Sequence, residues 1–270
     1  MRVQASDGAA RNDARRLDFI LQELLRAGRV RVDTLSQQFA VNASTIRRDL
    51  EKLEQQNLLR RVHGGAVPVD GLAYSAYAHD LTFQANMGKQ SEAKTRIALA
   101  AARSITPGAT IALSPGTTVT QLARSIRQLS IQPLTVVSNA VNIAMELAGL
   151  RDLNLILTGG IVLPDFFALV GPLAEQSLRD MFVDRAFIGV TGLSVAHGLT
   201  GPNQLEALTY RATMERAREV IVLADHTKLE RVALYRIAPA TAIHTLITDD
   251  GADPQLIEQF AAAGIDVQVV

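Results

Sequence analysis

From Pro107 onward the chain alternates short apolar runs with helical stretches, and few architectures accommodate that pattern. The runs are Thr110 to Leu113, Leu134 to Val137, Asn154 to Leu157, Ala186 to Val190, Val220 to Leu223 and Thr245 to Ile247. Between them Val119 to Leu129, Val141 to Leu147, Leu173 to Met181 and Gln204 to Ala217 are predicted helical. Gln255 to Ala263 precedes a last strand near Val267. Runs that are β-branched and apolar throughout have no polar face to turn to water. They predict a mostly parallel sheet covered by helices on both faces. In such sheets ligands bind at the carboxyl ends of the strands, so the strand-end loops are where a site is expected.

Composition narrows the classes further. A chain of 270 residues with 48% hydrophobic content can hold one large and one small domain. It has no cysteine, which excludes a disulfide framework and any Cys-based metal site. No stretch approaches the roughly 18 apolar residues of a membrane helix. Residues 1 to 10 lack the apolar core of a secretory signal, so the expected location is cytoplasmic. Net charge is zero but uneven. Residues 1 to 66 carry 12 Lys/Arg against 8 Asp/Glu, or +4, and the remainder carries 15 against 19, or −4. A basic head on an acidic body suits a small nucleic-acid-binding module.

The head has its own pattern. After a small, polar and disordered-looking start, Leu17, Ile20, Leu21 and Leu24 recur at helical spacing, with Gly28 as a stop. Val32, Leu35, Ser36 and Phe39 form a second short helix, and Ala40-Val41-Asn42 makes a tight connection. Asn42 then suits the N-cap of a third helix, in which Ile46, Leu50 and Leu53 make one apolar face. Ser44, Arg48, Lys52 and Gln55 fall on the opposite face, flanked by Thr45 and Arg47. Guanidinium groups and hydroxyls at the start of such a helix suit base edges and phosphates. A merely solvated charged face is the plainer alternative. A short helix, a tight turn and a helix with an outward polar start make up the helix-turn-helix unit. Leu58 to Val62 followed by His63-Gly64-Gly65 predicts a β-hairpin, or wing, carrying Arg60, Arg61 and His63. These three suit phosphate or minor-groove contact, or else form a basic surface loop. Residues 67 to 88 are expected to be a linker, and Gln90 to Ile105 an Ala-rich helix with Ile97, Ala98 and Ala101 on one face.

At the strand ends of the body, Ser114-Pro115-Gly116-Thr117-Thr118 closes a strand and opens a helix. Its backbone N–H groups, hydroxyls and helix dipole suit a phosphate or other anion; a capped helix start without a ligand is the alternative. Ser138-Asn139, Thr158-Gly159-Gly160, Val190-Thr191-Gly192 and Asp225-His226-Thr227-Lys228 follow later strands. Lys228 can pair with a phosphate or sugar oxygen, or be a surface lysine. Glu206, ahead of Arg211, can hold sugar hydroxyls, or be one of two surface charges.

Val30 to Ala66 resembles the DNA-binding domain of the DeoR family of bacterial transcriptional regulators. The resemblance rests on Leu35-Ser36, Phe39, Val41, Thr45-Ile46-Arg47-Arg48-Asp49-Leu50, Leu53, Leu58, Arg61 and His63-Gly64-Gly65-Ala66. Arg31 departs from the family, which often places a Ser or Thr cap there. Residues 89 to 250 resemble the family's effector-binding domain through Gly116-Thr117-Thr118, Ser138-Asn139, Gly159-Gly160, Val170-Gly171-Pro172, Gly198-Leu199-Thr200, Glu206-Ala207 and Ala224-Asp225 with Lys228. Many members have Asp where this chain has Ser114. The resemblance implies an α/β protein: an N-terminal winged helix-turn-helix domain over residues 11 to 66, then a C-terminal Rossmann-like α/β effector-binding domain over 89 to 270, similar to ribose-5-phosphate isomerase. It implies a repressor of a sugar-catabolism operon that needs no cofactor and forms a homo-oligomer, dimer or tetramer, on double-stranded operator DNA. Ser44, Thr45, Arg47, Arg48, Lys52, Arg60, Arg61 and His63 would face the DNA. Ser114, Gly116, Thr117, Thr118, Asn139, Gly159, Gly160, Glu206 and Lys228 would hold a sugar phosphate effector. The rival is a sugar-phosphate isomerase-like enzyme with a fused DNA-binding head. Isomerisation needs a positioned carboxylate base; Val190 to Ser194 contains none, which leaves Glu206 alone and favours a non-enzyme.

Overall fold

The computed structural model describes residues 16–17, 19–21, 23–24, 27–55, 58–68, 83 and 86–270. The disordered start expected at residues 1 to 10 and most of the linker expected at 67 to 88 lie outside the described residues. The chain forms two compact units that divide between residues 85 and 86.

In the first unit, the described residues between 16 and 27 are helical up to Ala27, and Gly28 follows with φ 68°. Two further helices follow, α1 (Val32–Phe39) and α2 (Ala43–Gln55). Ala40 closes α1 in the left-handed region, and its N–H returns to Gln37 and Ser36 carbonyls. Asn42 opens α2, its backbone carbonyl accepting from the N–H groups of Thr45 and Ile46. Ile20, Leu21, Leu24, Leu35, Ile46, Leu50 and Leu53 form one fully buried core. Each contributes roughly 1.5–3 kcal/mol by leaving water. Three short antiparallel strands complete the unit: β1 (Val30–Arg31), β2 (Arg60–Val62) and β3 (Gly65–Val67), with β3 in the middle. The wing is therefore a three-stranded sheet, because Val30 and Arg31 pair with Ala66 and Gly65.

Arg31 occupies the N-cap of α1 in extended conformation and makes no capping bond with its side chain. Replacing it with a hydroxyl residue supplies the missing acceptor without changing the backbone. Arg31→Thr is expected to stabilise the first unit by about 1 kcal/mol, seen as a higher midpoint in urea unfolding. An unchanged midpoint would show that solvent already satisfies those N–H groups.

The second unit is built on seven parallel strands: β4 (Thr110–Leu113), β5 (Leu134–Ser138), β6 (Leu153–Leu157), β9 (Val183–Gly189), β12 (Ala217–Leu223), β14 (Thr245–Thr248) and β15 (Asp266–Val269). Their order is β15-β14-β12-β9-β4-β5-β6. Alternate residues feed two cores. Ile111, Leu113, Val136, Phe187 and Ile221 pack with α3 (Ser91–Arg103), α4 (Thr117–Leu129) and α5 (Val141–Leu147). Ala112, Val137, Ala186, Ile188 and Val222 pack on the other face with α6 (Pro172–Leu178), α7 (Gln204–Glu215) and α8 (Pro254–Ala262). The expected parallel sheet is present. Two antiparallel additions go beyond the sequence reading: a hairpin of β7 (Ile161–Leu163) and β8 (Ala168–Val170), and a small sheet of β10 (Gly192–Ser194), β11 (Gly198–Gly201) and β13 (Tyr235–Ala238). The chain runs outward from β4 to β6, then returns to the other side of β4 at β9. The topological switch point therefore lies between β4 and β9, and the carboxyl ends beside such a point are where sheets of this kind bind ligands.

Candidate functional site

In the first unit α2 sorts its side chains by face. Ile46, Leu50 and Leu53 are buried, whereas Ser44, Arg47, Arg48 and Lys52 are exposed and Thr45 is half-buried. Asp49 turns inward. Its carboxylate accepts from Arg16 Nε at 2.6 Å and Nη2 at 3.2 Å, a two-pronged buried pair that ties α2 to the helical residues ahead of Gly28. In the wing, Arg60 is exposed and His63 is exposed in the turn between β2 and β3. Arg61 is also exposed, but its Nε lies 2.6 Å from Glu54 Oε2 and its backbone N–H donates to Glu54 Oε1. That backbone bond first, and the side-chain bond second, hold the Glu54 carboxyl below its usual range. Arg61 thus fastens the wing to α2, a constraint the sequence reading did not include. Gly65 explains the second glycine of His-Gly-Gly-Ala: a Cβ there would sit 1.9 Å from the Val30 carbonyl oxygen.

In the second unit, the loop after β4 meets β9 at the switch point. Gly116 has φ 128°, and a Cβ there would lie 4.0 Å from the Gly189 α-carbon. Gly189 must itself be small, since a Cβ would meet Val119 at 3.2 Å and the Pro115 carbonyl at 3.4 Å. Thr117 is half-buried and Thr118 buried at the first turn of α4. Ser114 has partners within the fold: its buried hydroxyl accepts from the Gly189 N–H at 2.9 Å and donates to the Pro115 carbonyl at 3.1 Å, so it holds the loop together. Asn139 is likewise committed, its side-chain amide donating to the Leu169 carbonyl at 2.9 Å to anchor β8. Gly160 is small because β8 passes close by; a Cβ would meet Val170 N and O at 2.8 Å. Gly159 is exposed. Ser114, Asn139 and Gly160 share a feature: strand-end polar and glycine residues also serve to join loops, and sequence position alone does not show this use.

Glu206 is not one of a pair of surface charges. It lies in the first turn of α7, 4% exposed, and burial pushes its carboxyl up to about 7. Arg211 turns away from it and donates to the Ile237 and Arg236 carbonyls. One turn after Glu206, the buried Tyr210 hydroxyl donates to the Pro115 carbonyl at 3.0 Å, joining α7 to the loop after β4.

Lys228 is half-buried in the turn after β12. It is joined electrostatically by Lys94 of α3, which the sequence reading missed. Lys94 is 3% exposed and its Nζ donates to the Asn86 carbonyl at 2.6 Å. Burial lowers its pKa, Asp225 partly opposes that, and Lys228 adds to it. The signal was present: Lys94, Ile97, Ala98 and Ala101 are spaced as a single core stripe. His226 and Asp249 close the same end of the sheet. His226 Nδ1 and Asp249 Oδ2 are 2.7 Å apart, and the His226 N–H donates to Oδ1 at 2.7 Å. Burial works to raise the Asp249 pKa, but the bonds from His226 prevail and hold it low.

Four buried side-chain oxygens have no partner among the described residues: Asn142 Oδ1, Thr158 Oγ1, Glu206 Oε2 and Thr248 Oγ1. Thr158 follows β6, Thr248 ends β14, Asn142 opens α5 after β5, and Glu206 opens α7. All four therefore lie toward the carboxyl edge of the sheet. An unpaired buried acceptor costs about 1–3 kcal/mol, and each such group calls for an explanation. Cations, helix starts and unfilled acceptors along one edge can hold a small polyhydroxylated anion.

Comparison with known proteins agrees with both halves. The family model of the DeoR-like helix-turn-helix domain matches residues 16–70, and that of the DeoR C terminal sensor domain matches residues 89–250. An Escherichia coli protein named as a putative aga operon transcriptional repressor is 31% identical over 94% of this chain and 93% of its own length. The glycerol-3-phosphate regulon repressor of Escherichia coli is 30% identical over 85% of this chain and 88% of its own. Among solved structures, ribose 5-phosphate isomerase A of Methanocaldococcus jannaschii aligns with 52% of this chain and 55% of its own at 20% identity and a TM-score of 0.38. With both of its units matched over most of their length, the chain belongs to the DeoR family of transcriptional regulators.

Proposed function

We propose that the protein is an operator-binding repressor whose grip on DNA is set by a phosphorylated sugar or related metabolite in the second unit. The observation that carries the DNA-binding half is the outward face of α2. Ser44, Arg47, Arg48 and Lys52 are exposed on a helix whose opposite side is fully buried. That helix start enters the major groove, with Arg47 and Arg48 on base edges or phosphates and Ser44 and Thr45 fixing its register. Arg60, Arg61 and His63 on the wing reach the flanking backbone. Two copies in a homo-oligomer present two such helices to a repeated or palindromic site. The protein acts in the cytoplasm, where its operator is.

The effector occupies the crevice at the switch point. Gly116, Thr117 and Thr118 present N–H and hydroxyl groups at the start of α4, which suits a phosphate. Lys94 and Lys228 supply the countercharge. Glu206 and the neighbouring unpaired oxygens accept from sugar hydroxyls, while Gly159 leaves room at the rim. Ser114, Asn139 and Gly160 shape the crevice without touching the ligand. A relative named for the glycerol-3-phosphate regulon agrees with a small phosphorylated effector. Effector binding releases DNA only through unequal affinity for the two arrangements of the oligomer.

Arg48→Ala tests the first half. Operator affinity in a gel-shift titration is expected to fall about tenfold, since one good guanidinium contact is worth about 1–3 kcal/mol. A phosphate contact would also flatten the dependence on log salt by about 0.9. Unchanged affinity and slope would remove Arg48 from the interface. Lys94→Met tests the second. Loss of a charge-assisted bond to phosphate is expected to weaken the active sugar phosphate by about 10- to 100-fold, with operator binding intact. A thermal-shift screen of sugar phosphates on wild type and variant measures it, and equal shifts in both would exclude Lys94 from the site.

A further inference from the structure

The second unit has a second cavity, at the opposite edge of the sheet from the crevice above. It holds about 450 Å³ and lies where β12 and β14 begin, between the last turns of α7 and strand β13. Its floor is apolar, with Met214, Val220 and Ala242, and its rim carries Arg211, Arg236 and His244. A volume in this range with an apolar floor and a few polar groups at the mouth is the usual form of a small-molecule site.

The rim groups define the ligand. Arg211 is held in place by its bonds to the Ile237 and Arg236 carbonyls at 2.9 and 3.1 Å. The Arg236 side chain is exposed and has no ion-pair partner among the described residues. His244 Nδ1 accepts from the Val220 N–H at 3.1 Å, so its other ring nitrogen is the one that carries a proton and donates. Glu215 also lines the mouth and is exposed; its carboxylate lies 4.0 Å from Arg216. Two guanidinium groups and an imidazole donor against one carboxylate leave the mouth cationic above an apolar floor. We infer that this cavity is a second ligand site, selective for an amphipathic monoanion: a short apolar chain ended by one carboxylate. It differs from the crevice at the other edge, which is lined by hydroxyls and lysines and suits a polar phosphate.

The test uses the full-length protein and sodium octanoate as the probe, followed by isothermal titration calorimetry, with octan-1-ol as the uncharged control. Octanoate is expected to bind once per chain, and octan-1-ol about tenfold more weakly, because it cannot use the guanidinium groups. Ala242→Trp fills the cavity and is expected to abolish octanoate binding while circular dichroism shows the fold unchanged. Should that variant misfold, Ala217→Leu fills the same space from β12. Arg236→Ala is expected to weaken octanoate about tenfold. Lys228→Ala, at the other edge, is expected to leave it unchanged. No octanoate binding, or binding that survives the filled cavity or fails in Lys228→Ala, overturns the inference. Equal affinity for octan-1-ol, or an indifferent Arg236→Ala, overturns the assignment of an anion.

Discussion

Asp49→Ala is expected to unfold the first unit near physiological temperature while the second unit keeps its fold and its response to effector. Asp49 is 2% exposed and Arg16 8%, and they meet through two hydrogen bonds. Removing the carboxylate takes both of these bonds from a buried guanidinium, and breaking a buried pair of this kind costs about 3–5 kcal/mol. A domain of this size has little more stability than that to lose. The result would appear as loss of the N-terminal unfolding transition and of operator binding, with sugar-phosphate thermal shifts retained. Arg48→Ala, by contrast, loses operator affinity with both transitions present. The double variant Arg16→Met, Asp49→Leu is expected to restore the transition, since an apolar pair of similar volume can replace a buried ion pair. A stable Asp49→Ala head would mean that water reaches Arg16 and that the pair is not a structural clamp.

That result bears on why a recognisable motif hides two kinds of residue. In Thr45-Ile46-Arg47-Arg48-Asp49-Leu50, the periodicity of Ile46, Leu50 and Leu53 was legible and fixed which face is core. Asp49 was passed over because a charge is ordinarily assigned to solvent. Yet Ile46, Asp49, Leu50 and Leu53 are spaced i, i+3, i+4 and i+7, so position alone puts Asp49 inward. Lys94 stands in the same relation to Ile97, Ala98 and Ala101, and Glu206 to Tyr210 and Thr213. In each case spacing, and not residue type, carried the information. Ser114 and Asn139 show the reverse. Their type suggested ligand contact; the partners they hold within the fold, Gly189 and Leu169, come from distant parts of the chain that no local pattern connects to them. The small sheet of β10, β11 and β13 was missed for a related reason. Its strands are three or four residues long, and Gly192, Gly198 and Gly201 stand at the ends of two of them, too short for alternation to show. Register with a distant strand, not local propensity, makes them strands.

The same inward placement makes the second unit's stability depend on pH through Glu206. Its folded pKa is about 7 against an ordinary 4.5, because burial disfavours the carboxylate and the Tyr210 hydroxyl offsets this only in part. The geometry limits that offset further, since the Tyr210 proton is donated to Pro115. A carboxyl whose folded pKa is raised favours the fold when protonated. Its contribution is full below pH 4.5, falls as the unfolded chain begins to ionise, and is gone once pH passes the folded value. At 1.36 kcal/mol per unit, the loss between pH 4.5 and 7 is about 3 kcal/mol. Glu206→Gln does not titrate. Its stability minus that of wild type is therefore expected to rise across this window by about that amount and then level off. Urea midpoints of the second unit at several pH values give the difference directly. Asp249, whose lowered pKa acts in the opposite sense, is common to both proteins and cancels. A difference that stays flat with pH would mean that Glu206 is ionised and paired throughout, and would take it off the list of unfilled acceptors in the crevice. A sugar hydroxyl that donates to Glu206 favours the carboxylate, so effector binding below pH 7 is expected to release a proton. Binding enthalpies compared in buffers of different ionisation heat would reveal it, and the release should vanish in Glu206→Gln.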